Sequence, residues 1–383
     1  MAIGLLCLVG GFITDSHRAW PTLLLNSFYF MGIALGALFF IAVQYAAEAG
    51  WSAVVKRPME AIASYLPYGA LFMGLVAIAS AFHLNHIYHW ADPHILHETL
   101  ENGQPNPHYD KIISGKSAFL NPIFFSIRTI VYLGGWLLFF RAFMKRSEIE
   151  ATGMDVTNWK KSQSLGAWFL VFFAVTSSTS AWDWIMSIDT HWFSTLFGWY
   201  TFAGYFVSAL TMITMVTLHL KGRGLLPEVN ENHIHDLGKF MFAFSIFWTY
   251  LWVSQFMLIW YSNIPEEVTY FQDRFTNYKF LFFLNLFLNF LFPFIVLMKR
   301  GSKRRNRILM FIGVVILFGH WSDNFVMIMP GTVKEHWHFG WVELGTMLGF
   351  LGLFGFVVLN KLASRPVSNP NHVFFQESVH HHI

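Results

Sequence analysis

Four ionisable residues lie inside long apolar segments of this 383-residue chain: Arg128, Asp183, His320 and Asp323. Charged side chains are expensive in the hydrocarbon core of a membrane, so those found there generally serve substrates, ions or protons. Asp183 is expected about 6 Å inside one end of its helix, within reach of the interface. His320 and Asp323 are spaced i and i+3 and share one helix face. The set indicates proton handling. The alternative is a buried structural ion pair of His320 and Asp323, with Arg128 as a further partner.

A stripe of hydroxyl side chains begins beside Asp183. Thr176, Ser180 and Asp183 are spaced i, i+4 and i+7, so they fall on one helix face. The next apolar segment extends the stripe toward His219 through Tyr205, Ser208, Thr211, Thr214 and Thr217. Hydroxyls both donate and accept hydrogen bonds, which suits them to relay protons. The alternative is that membrane Ser and Thr bond their own i−4 carbonyls and permit close helix packing.

Aromatic and polar residues gather at the predicted outer ends of three helices. They are Trp20, Asn26, His83, His86, Trp182, Asp183 and Trp184. An apolar mouth, aromatic walls and proton-accepting groups are what a quinone headgroup requires, whereas an interfacial aromatic belt is the alternative. His89, His94 and His97 follow, but no acidic residue takes a zinc spacing among them, so we predict no metal site.

Composition excludes several classes of protein. The chain is 55% hydrophobic and 12% charged, whereas soluble domains carry about 25% charged residues. Its basic residues are scattered between apolar runs, which argues against nucleic-acid binding. The single cysteine, Cys7, argues against an iron–sulfur cluster held by this chain alone.

Nine long apolar segments and a short first one predict about ten transmembrane helices, since about 20 apolar residues span the hydrocarbon core. They lie at about residues 2–14, 20–47, 59–82, 119–143, 163–187, 195–220, 238–262, 277–299, 306–329 and 339–361. Ten spans place eighteen Lys and Arg residues on one side and six on the other. Because basic residues accumulate in cytoplasmic loops, both termini are expected in the cytoplasm.

The ends of the fifth and ninth predicted helices resemble each other, at residues 181–186 and 320–327. We therefore expect an all-α integral membrane protein with about ten transmembrane helices, built as two four-helix bundles in parallel repeat plus flanking helices. The predicted units are a short first helix and outer turn (1–18), a four-helix unit with a long outer loop at 83–118 (19–190), a second four-helix unit (191–330), and a last helix with a cytoplasmic tail (331–383).

This plan and four local motifs, at residues 82–86, 181–184, 260–267 and 377–383, resemble the polysulfide-reductase-like (NrfD-like) membrane subunits. Within that family the chain is most similar to the smaller of the two such subunits of bacterial alternative complex III, a quinol:cytochrome c oxidoreductase. The resemblance implies residence in the bacterial inner membrane and a quinone pocket at the positions of Asn26, His83 and Asp183. It also implies oxidation of quinol, for example menaquinol, near the outer face, with no cofactor bound by this chain alone.

The same resemblance implies several partners besides the lipid bilayer. These are a larger homologous membrane subunit, a peripheral subunit with iron–sulfur clusters, and multihaem cytochrome c subunits that carry haem c. Two alternatives stay open: a subunit with its own quinol-binding site, and a stand-alone secondary transporter built on a parallel repeat. A transporter is expected to have helices broken near the midplane in both halves.

Overall fold

The protein is all-α, and a computed structural model describes residues 1–99 and 104–382. Residues 100–103 of the predicted outer loop and Ile383 of the terminal motif lie outside the described residues. Apolar chain segments in lipid must satisfy their backbone N–H and C=O groups internally, which helices do. The described part has nine helices long and apolar enough to cross a membrane, and one shorter apolar helix. The predicted fold class, an all-α integral membrane protein, is confirmed.

The helices follow the predicted order along the chain. They are α1 (Ala2–Thr14), α2 (Ser16–Ala46), α3 (Lys56–Ala63), α4 (Leu66–Ala81), α5 (Lys111–Lys116), α6 (Pro122–Thr152), α7 (Val156–Trp184), α8 (Phe197–Gly222), α9 (Glu231–Ser262), α10 (Pro265–Asn277), α11 (Lys279–Leu286), α12 (Phe292–Met298), α13 (Asn306–Thr332), α14 (Trp341–Ala363) and α15 (Phe375–Val379). A 3₁₀ helix, Gly50–Val55, precedes α3, and a π-helical turn, Phe287–Leu291, joins α11 to α12.

Two predicted spans are interrupted. The span predicted at 59–82 consists of α3 and α4, which are separated at Ser64 and Tyr65. Pro67 follows this break, and a proline lacks the N–H that would donate to the carbonyl four residues earlier, here that of Ala63. The span predicted at 277–299 contains the π-helical turn just before Pro293. The interruptions therefore lie in the second helix of the first unit and the third helix of the second unit.

The long helices pack as two four-helix bundles. In the first bundle, α2 contacts α4 and α7, and α6 closes the ring between them. In the second, α8 contacts α9 and α13, and the α11–α12 helix closes the ring. α2 also packs against α8 and α13, so it is buried along nearly its whole length. This packing agrees with the predicted grouping of helices.

α1 is shorter than a full membrane span. Its 13 residues extend about 20 Å at 1.5 Å per residue, less than the ~30 Å hydrocarbon core. It lies antiparallel to α14 at a close backbone contact: a Cβ on Gly4 would collide with the backbone of Gly349 and lie 2.9 Å from the Gly345 carbonyl oxygen. Small residues at i and i+4 permit such close approach of membrane helices.

The described parts of the long loop between α4 and α6 fold over the helix ends. Tyr88 donates a hydrogen bond to the Trp184 carbonyl (2.9 Å), and its ring packs against Phe125. Asp110 accepts hydrogen bonds from the first backbone amides of α5 and pairs with His191 at 2.6 Å. These contacts favour the ionised carboxylate, so the pKa of Asp110 is lowered despite partial burial. The loop is thereby attached to the first bundle.

The segment after α14 lies across the opposite end of the molecule, the basic face, where the loops near residues 145–161, 223–239 and 299–307 are found. We call residues 364–382 the tail. Phe374 packs edge-on against Trp159, and the Ser378 hydroxyl donates to the Trp51 carbonyl at 2.6 Å. Its last turn reaches α9, where Asn230 donates to the His381 carbonyl at 2.9 Å. The tail therefore contacts both bundles.

Candidate functional site: two buried carboxylates

Asp183 is held in an ion pair at the end of α7. The Arg128 guanidinium donates from Nε and Nη2 to the two carboxylate oxygens, each at 2.7 Å. Tyr132, one turn further along α6, donates its hydroxyl to the same carboxylate at 2.8 Å. Asp183 is fully buried and Arg128 nearly so. The carboxylate therefore has a balanced charge and three donors, which is the condition for a stable buried ion pair.

The remaining contacts of Arg128 fix its position. Nη1 donates to the Phe119 carbonyl at 2.9 Å, and the guanidinium lies over the rings of Phe119 and Phe124 at 3.9 and 4.3 Å. Flat guanidinium groups stack on aromatic faces in this way. Asp183, not the pair His320 and Asp323, is thus the partner of Arg128. The alternative in which those three residues form one ion-paired group is wrong.

Asp323 lies in the second half of α13, the last helix of the second bundle, and has different surroundings. Tyr200 of α8 donates its hydroxyl to Oδ1 at 2.5 Å, and Trp248 of α9 donates its indole N–H to Oδ2 at 3.3 Å. Asp323 is buried. Within residues 1–99 and 104–382, no cationic side chain forms an ion pair with it. Its neighbours are therefore neutral donors.

His320 lies one helical turn before Asp323 and is fully buried. Its ring packs edge-on against Trp248, with centroids 5.3 Å apart. Neither ring nitrogen has a hydrogen-bond partner among the described residues. Leaving a buried polar atom unpaired costs about 1–3 kcal/mol, so such groups usually bind water or a ligand.

A small cavity adjoins Asp323 in the second bundle. It has a volume of about 20 Å³, and its polar wall is formed by Tyr200, Gln255, Arg274 and Asp323. The Gln255 amide nitrogen is buried and has no partner among the described residues. A site needs roughly 10–15 Å³ and a few polar partners to hold a water molecule. The cavity meets both conditions.

Arg274 is the cation nearest this cavity, but its donors are already used. It donates to the Val326, Met327 and Tyr270 carbonyls at 3.1, 3.1 and 2.8 Å, and to Asp189 at 3.2 Å. Burial raises the pKa of Asp189, and Arg274 opposes that change. Arg274 thus binds backbone carbonyls of α13 and contributes positive potential at the cavity, but it donates no hydrogen bond to Asp323.

The π-helical turn adds further unpaired groups. Asn289 lies on this turn and packs against Gly319, the neighbour of His320. Both side-chain polar atoms of Asn289 and of Asn285 lack a partner among the described residues. The Ser322 hydroxyl is likewise buried and unpaired. π-Helical turns are frequent at functional sites because they re-aim side chains. Here the turn directs an amide toward α13.

The hydroxyls of the predicted stripe mostly bond their own helices. Thr176 and Ser180 donate to the Phe172 and Ser177 carbonyls, at 2.8 and 3.0 Å. On α8 the hydroxyls of three residues donate to carbonyls four residues earlier, at 2.7–2.8 Å: Ser208, Thr211 and Thr214. This matches the packing alternative for these residues, and their role in a proton relay stays a prediction.

On α8, the residues at the two ends of the stripe differ from Ser208, Thr211 and Thr214 between them. Tyr205 is buried where α8 packs against Gly32 of α2, and the Thr217 hydroxyl is buried without a partner among the described residues. His219, in the last turn of α8, has an exposed side chain. A path that follows the inner face of α8 therefore leads past Thr217 and not through His219.

The predicted quinone-binding residues are divided among separate surroundings. Asn26 is fully buried, and its amide oxygen accepts the Trp321 indole N–H at 3.0 Å. His83 ends α4 in the left-handed region (φ 55°) and is exposed. Asp183 is occupied by Arg128. The three residues thus have different surroundings, and their role in binding quinone stays a prediction.

A crevice of about 70 Å³ lies close by, between the start of α2, the segment after α4 and the end of α13. It is lined by His17, Trp20 and His86, and the rings of His17 and His86 stack with centroids 5.1 Å apart. Trp182 is half-buried, and its indole N–H has no partner among the described residues. Of the candidate residues, Trp20 and His86 line this crevice.

A second charged cluster lies beneath the tail on the basic face. Glu150 accepts hydrogen bonds from Lys56 (2.8 and 2.9 Å), Tyr45 (3.1 Å) and Asn369 of the tail (3.0 Å). His372 lies 3.9 Å from Glu150, and its Nδ1 accepts the Phe374 amide N–H at 3.1 Å. Burial, together with the positive charge of Lys56, lowers the pKa of His372 from 6.5 to about 4. The tail is thus packed with a neutral histidine.

Sequence reasoning missed most of the partners of the two carboxylates. Tyr132 could have been found, because it follows Arg128 at i+4 on the same helix face. Tyr200, Trp248 and Arg274 come from three other helices, and no local spacing connects them with Asp323.

Among the described residues, no group of three or more His, Cys, Asp or Glu side chains is placed to hold a metal ion.

Comparison with known proteins adds no assignment. The sequence matches no known protein family, and no curated protein matches it.

Proposed function

We propose that this chain is a membrane subunit of a respiratory quinol:cytochrome c oxidoreductase of the alternative complex III type. It resides in the bacterial inner membrane with both termini cytoplasmic, supports quinol oxidation near the outer face and contributes proton movement through its bundles. Its partners are a larger homologous membrane subunit, an iron–sulfur subunit and multihaem cytochrome c subunits.

One observation carries the proposal: the last helix of each four-helix bundle has a fully or nearly fully buried carboxyl in its second half, Asp183 in α7 and Asp323 in α13. Carboxyls are retained at such depth mainly where protons or ions are handled. Both lie toward the end opposite the basic face, and the tendency of Lys and Arg to accumulate in cytoplasmic loops supports an orientation with that end outside the cytoplasm.

The helix interruptions favour this function over a stand-alone transporter. Transporters with repeated halves break helices at corresponding positions of the two halves. Here the breaks fall in non-equivalent helices, between α3 and α4 in the first bundle and at Phe287–Leu291 in the second. Their arrangement lacks the internal symmetry that alternating access uses.

Purification of the tagged chain from membranes of its source organism, under mild detergent, tests membership of the complex. The expected preparation contains haem-staining cytochrome c, an iron–sulfur protein and a larger homologous membrane subunit in fixed ratio. An identically tagged unrelated membrane protein of the same organism is the control. A chain that migrates alone and without haem stain refutes the assignment.

Proton movement is tested separately on the purified complex in proteoliposomes, with quinol as donor and cytochrome c as acceptor. The measured quantity is the membrane potential formed per electron transferred. Combined replacement of Asp183 and Asp323 by Asn is expected to lower that ratio while cytochrome c reduction continues. An unchanged ratio contradicts the proposed contribution of the bundles.

A further inference from the structure

The two matching carboxyls differ in one respect that separates their roles. We infer that Asp323 is the residue of this chain that exchanges a proton inside the membrane, through water held in the cavity beside it, whereas Asp183 stays ion-paired with Arg128. The inference rests on the proposed proton movement and names the site where it occurs.

Charge balance is the first argument. Asp183 faces a guanidinium that donates two hydrogen bonds at 2.7 Å. Protonating it would leave Arg128 as an uncompensated buried cation, which is strongly unfavourable. Among the described residues, Asp323 accepts hydrogen bonds from the Tyr200 hydroxyl and the Trp248 indole N–H, and Arg274, which lines the same cavity, donates to other groups. Its charge can therefore change without leaving a directly bonded partner charge behind.

Access to water is the second argument. The cavity of about 20 Å³ adjoins Asp323, and the unpaired Gln255 amide nitrogen shares its wall. A water molecule there would find a carboxyl, an amide and the Tyr200 hydroxyl, which supplies the two to four partners that buried waters have. Buried polar groups without protein partners are normally satisfied by such waters.

The unpaired groups continue beyond the cavity. His320 lies one turn along α13 toward the basic face, and both of its ring nitrogens are without a described partner. Asn289 on the π-helical turn and Ser322 add buried groups that can donate and accept. Among the described residues beside Asp183 the polar groups are more fully paired: Trp136 donates to Thr176 (3.0 Å) and Trp184 donates to Thr129 (3.1 Å). The adjacent Trp182 has an unpaired indole N–H, but that group can only donate. Polar groups that need water are therefore concentrated near Asp323.

In the exchange step, the O–H bond of the Asp323 carboxyl breaks and the proton passes to the oxygen of the cavity water. The carboxylate then keeps its hydrogen bonds from Tyr200 and Trp248, so the negative charge is stabilised by two neutral donors. The reverse step restores the carboxyl. Other groups near this charge are Arg274 and Tyr270 of α10, and His320 on α13 itself.

Infrared difference spectroscopy tests the assignment on the purified protein in lipid, with its partner subunits if it has them. The C=O stretch of a protonated carboxyl is followed while pH is changed, in H₂O and in D₂O. A band that varies with pH and shifts in D₂O is expected in the wild type, lost in Asp323→Asn and retained in Asp183→Asn. A band that survives Asp323→Asn, or disappears only in Asp183→Asn, overturns the inference.

Tyr200→Phe covers the case in which Asp323→Asn does not fold. It keeps the carboxyl and removes the hydrogen bond of 2.5 Å, so the band is expected to move to higher frequency. No movement of the band refutes the assignment. The spectroscopic result is independent of complex membership, because it needs neither quinol nor cytochrome c; failure of the complex assignment and failure of this one are thus separate observations.

Discussion

Removal of Arg128 tests whether Asp183 is a structural ion rather than a proton carrier. Arg128→Leu deletes two charge-assisted hydrogen bonds of 2.7 Å and leaves the carboxylate with Tyr132 alone. Hydrogen bonds to charged groups contribute about 1.5–3 kcal/mol each, and breaking a buried pair costs roughly 3–5 kcal/mol. We therefore expect Arg128→Leu to lower the free energy of unfolding by about 3–5 kcal/mol.

The double variant Arg128→Leu, Asp183→Leu distinguishes the pair from its parts. It removes both charges, and replacing a whole buried pair by apolar residues is often neutral or stabilising. We expect it to be more stable than Arg128→Leu by at least about 2 kcal/mol. Arg128→Lys is the matched control, because it keeps the charge and loses the two-pronged geometry. Denaturant unfolding in lipid nanodiscs provides the measurement. Equal losses in the single and double variants would refute the reasoning.

Three further predictions concern other parts of the molecule. The first concerns His372, because burial in the packed tail lowers its pKa from 6.5 to about 4. The neutral histidine stabilises the packed tail above pH 6.5, and this contribution of up to about 3 kcal/mol is lost as the pH falls toward 4. Proteolysis of the tail should therefore accelerate at low pH in the wild type but not in His372→Gln. Gly319→Ala is expected to destabilise the second bundle by about 1–3 kcal/mol, because the added Cβ would lie 2.9 Å from Leu288 Cβ. Gly301→Ala is the control, since a Cβ there meets nothing within 4 Å. Equal stability of the two variants would contradict the close packing at Gly319. In intact cells, a cysteine at Ser302 should be sealed from an impermeant thiol reagent and one at Ser114 should react, and the opposite labelling reverses the orientation.

The nine long membrane helices of the described part, their order and the short apolar helix before them could be predicted from apolar length, since hydropathy depends only on local composition. Boundaries set by polar residues were harder. α9 begins at Glu231, seven residues before its predicted start, because Asn230 caps it by accepting the His233 amide N–H at 3.2 Å. The π-helical turn could not be predicted from the pattern of apolar residues. Apart from Pro293, the residues around it are all compatible with a regular helix.

The two carboxyl residues of the candidate site could be predicted from the sequence, but the residues that contact them could not. Asp183 and Asp323 stood out as charges in apolar runs, and the sequence placed both near helix ends. Which cation neutralises which carboxylate depends on how α6 and α7 rotate about their axes, and that rotation is set by packing across the bundle. For the same reason Asp323, with partners from α8 and α9, was indistinguishable from Asp183 before the helices were assembled.

The tail has a consequence for the order in which the molecule is made. Its contacts come from Trp51 and Glu150 in the first half of the chain and from Asn230 and Asp236 in the second. Ribosomes release these partners long before residues 364–382, so the tail can settle only when both halves have been inserted and brought together. A chain that stalls with its halves apart would keep this segment loose and open to proteases, so docking of the tail marks completed assembly.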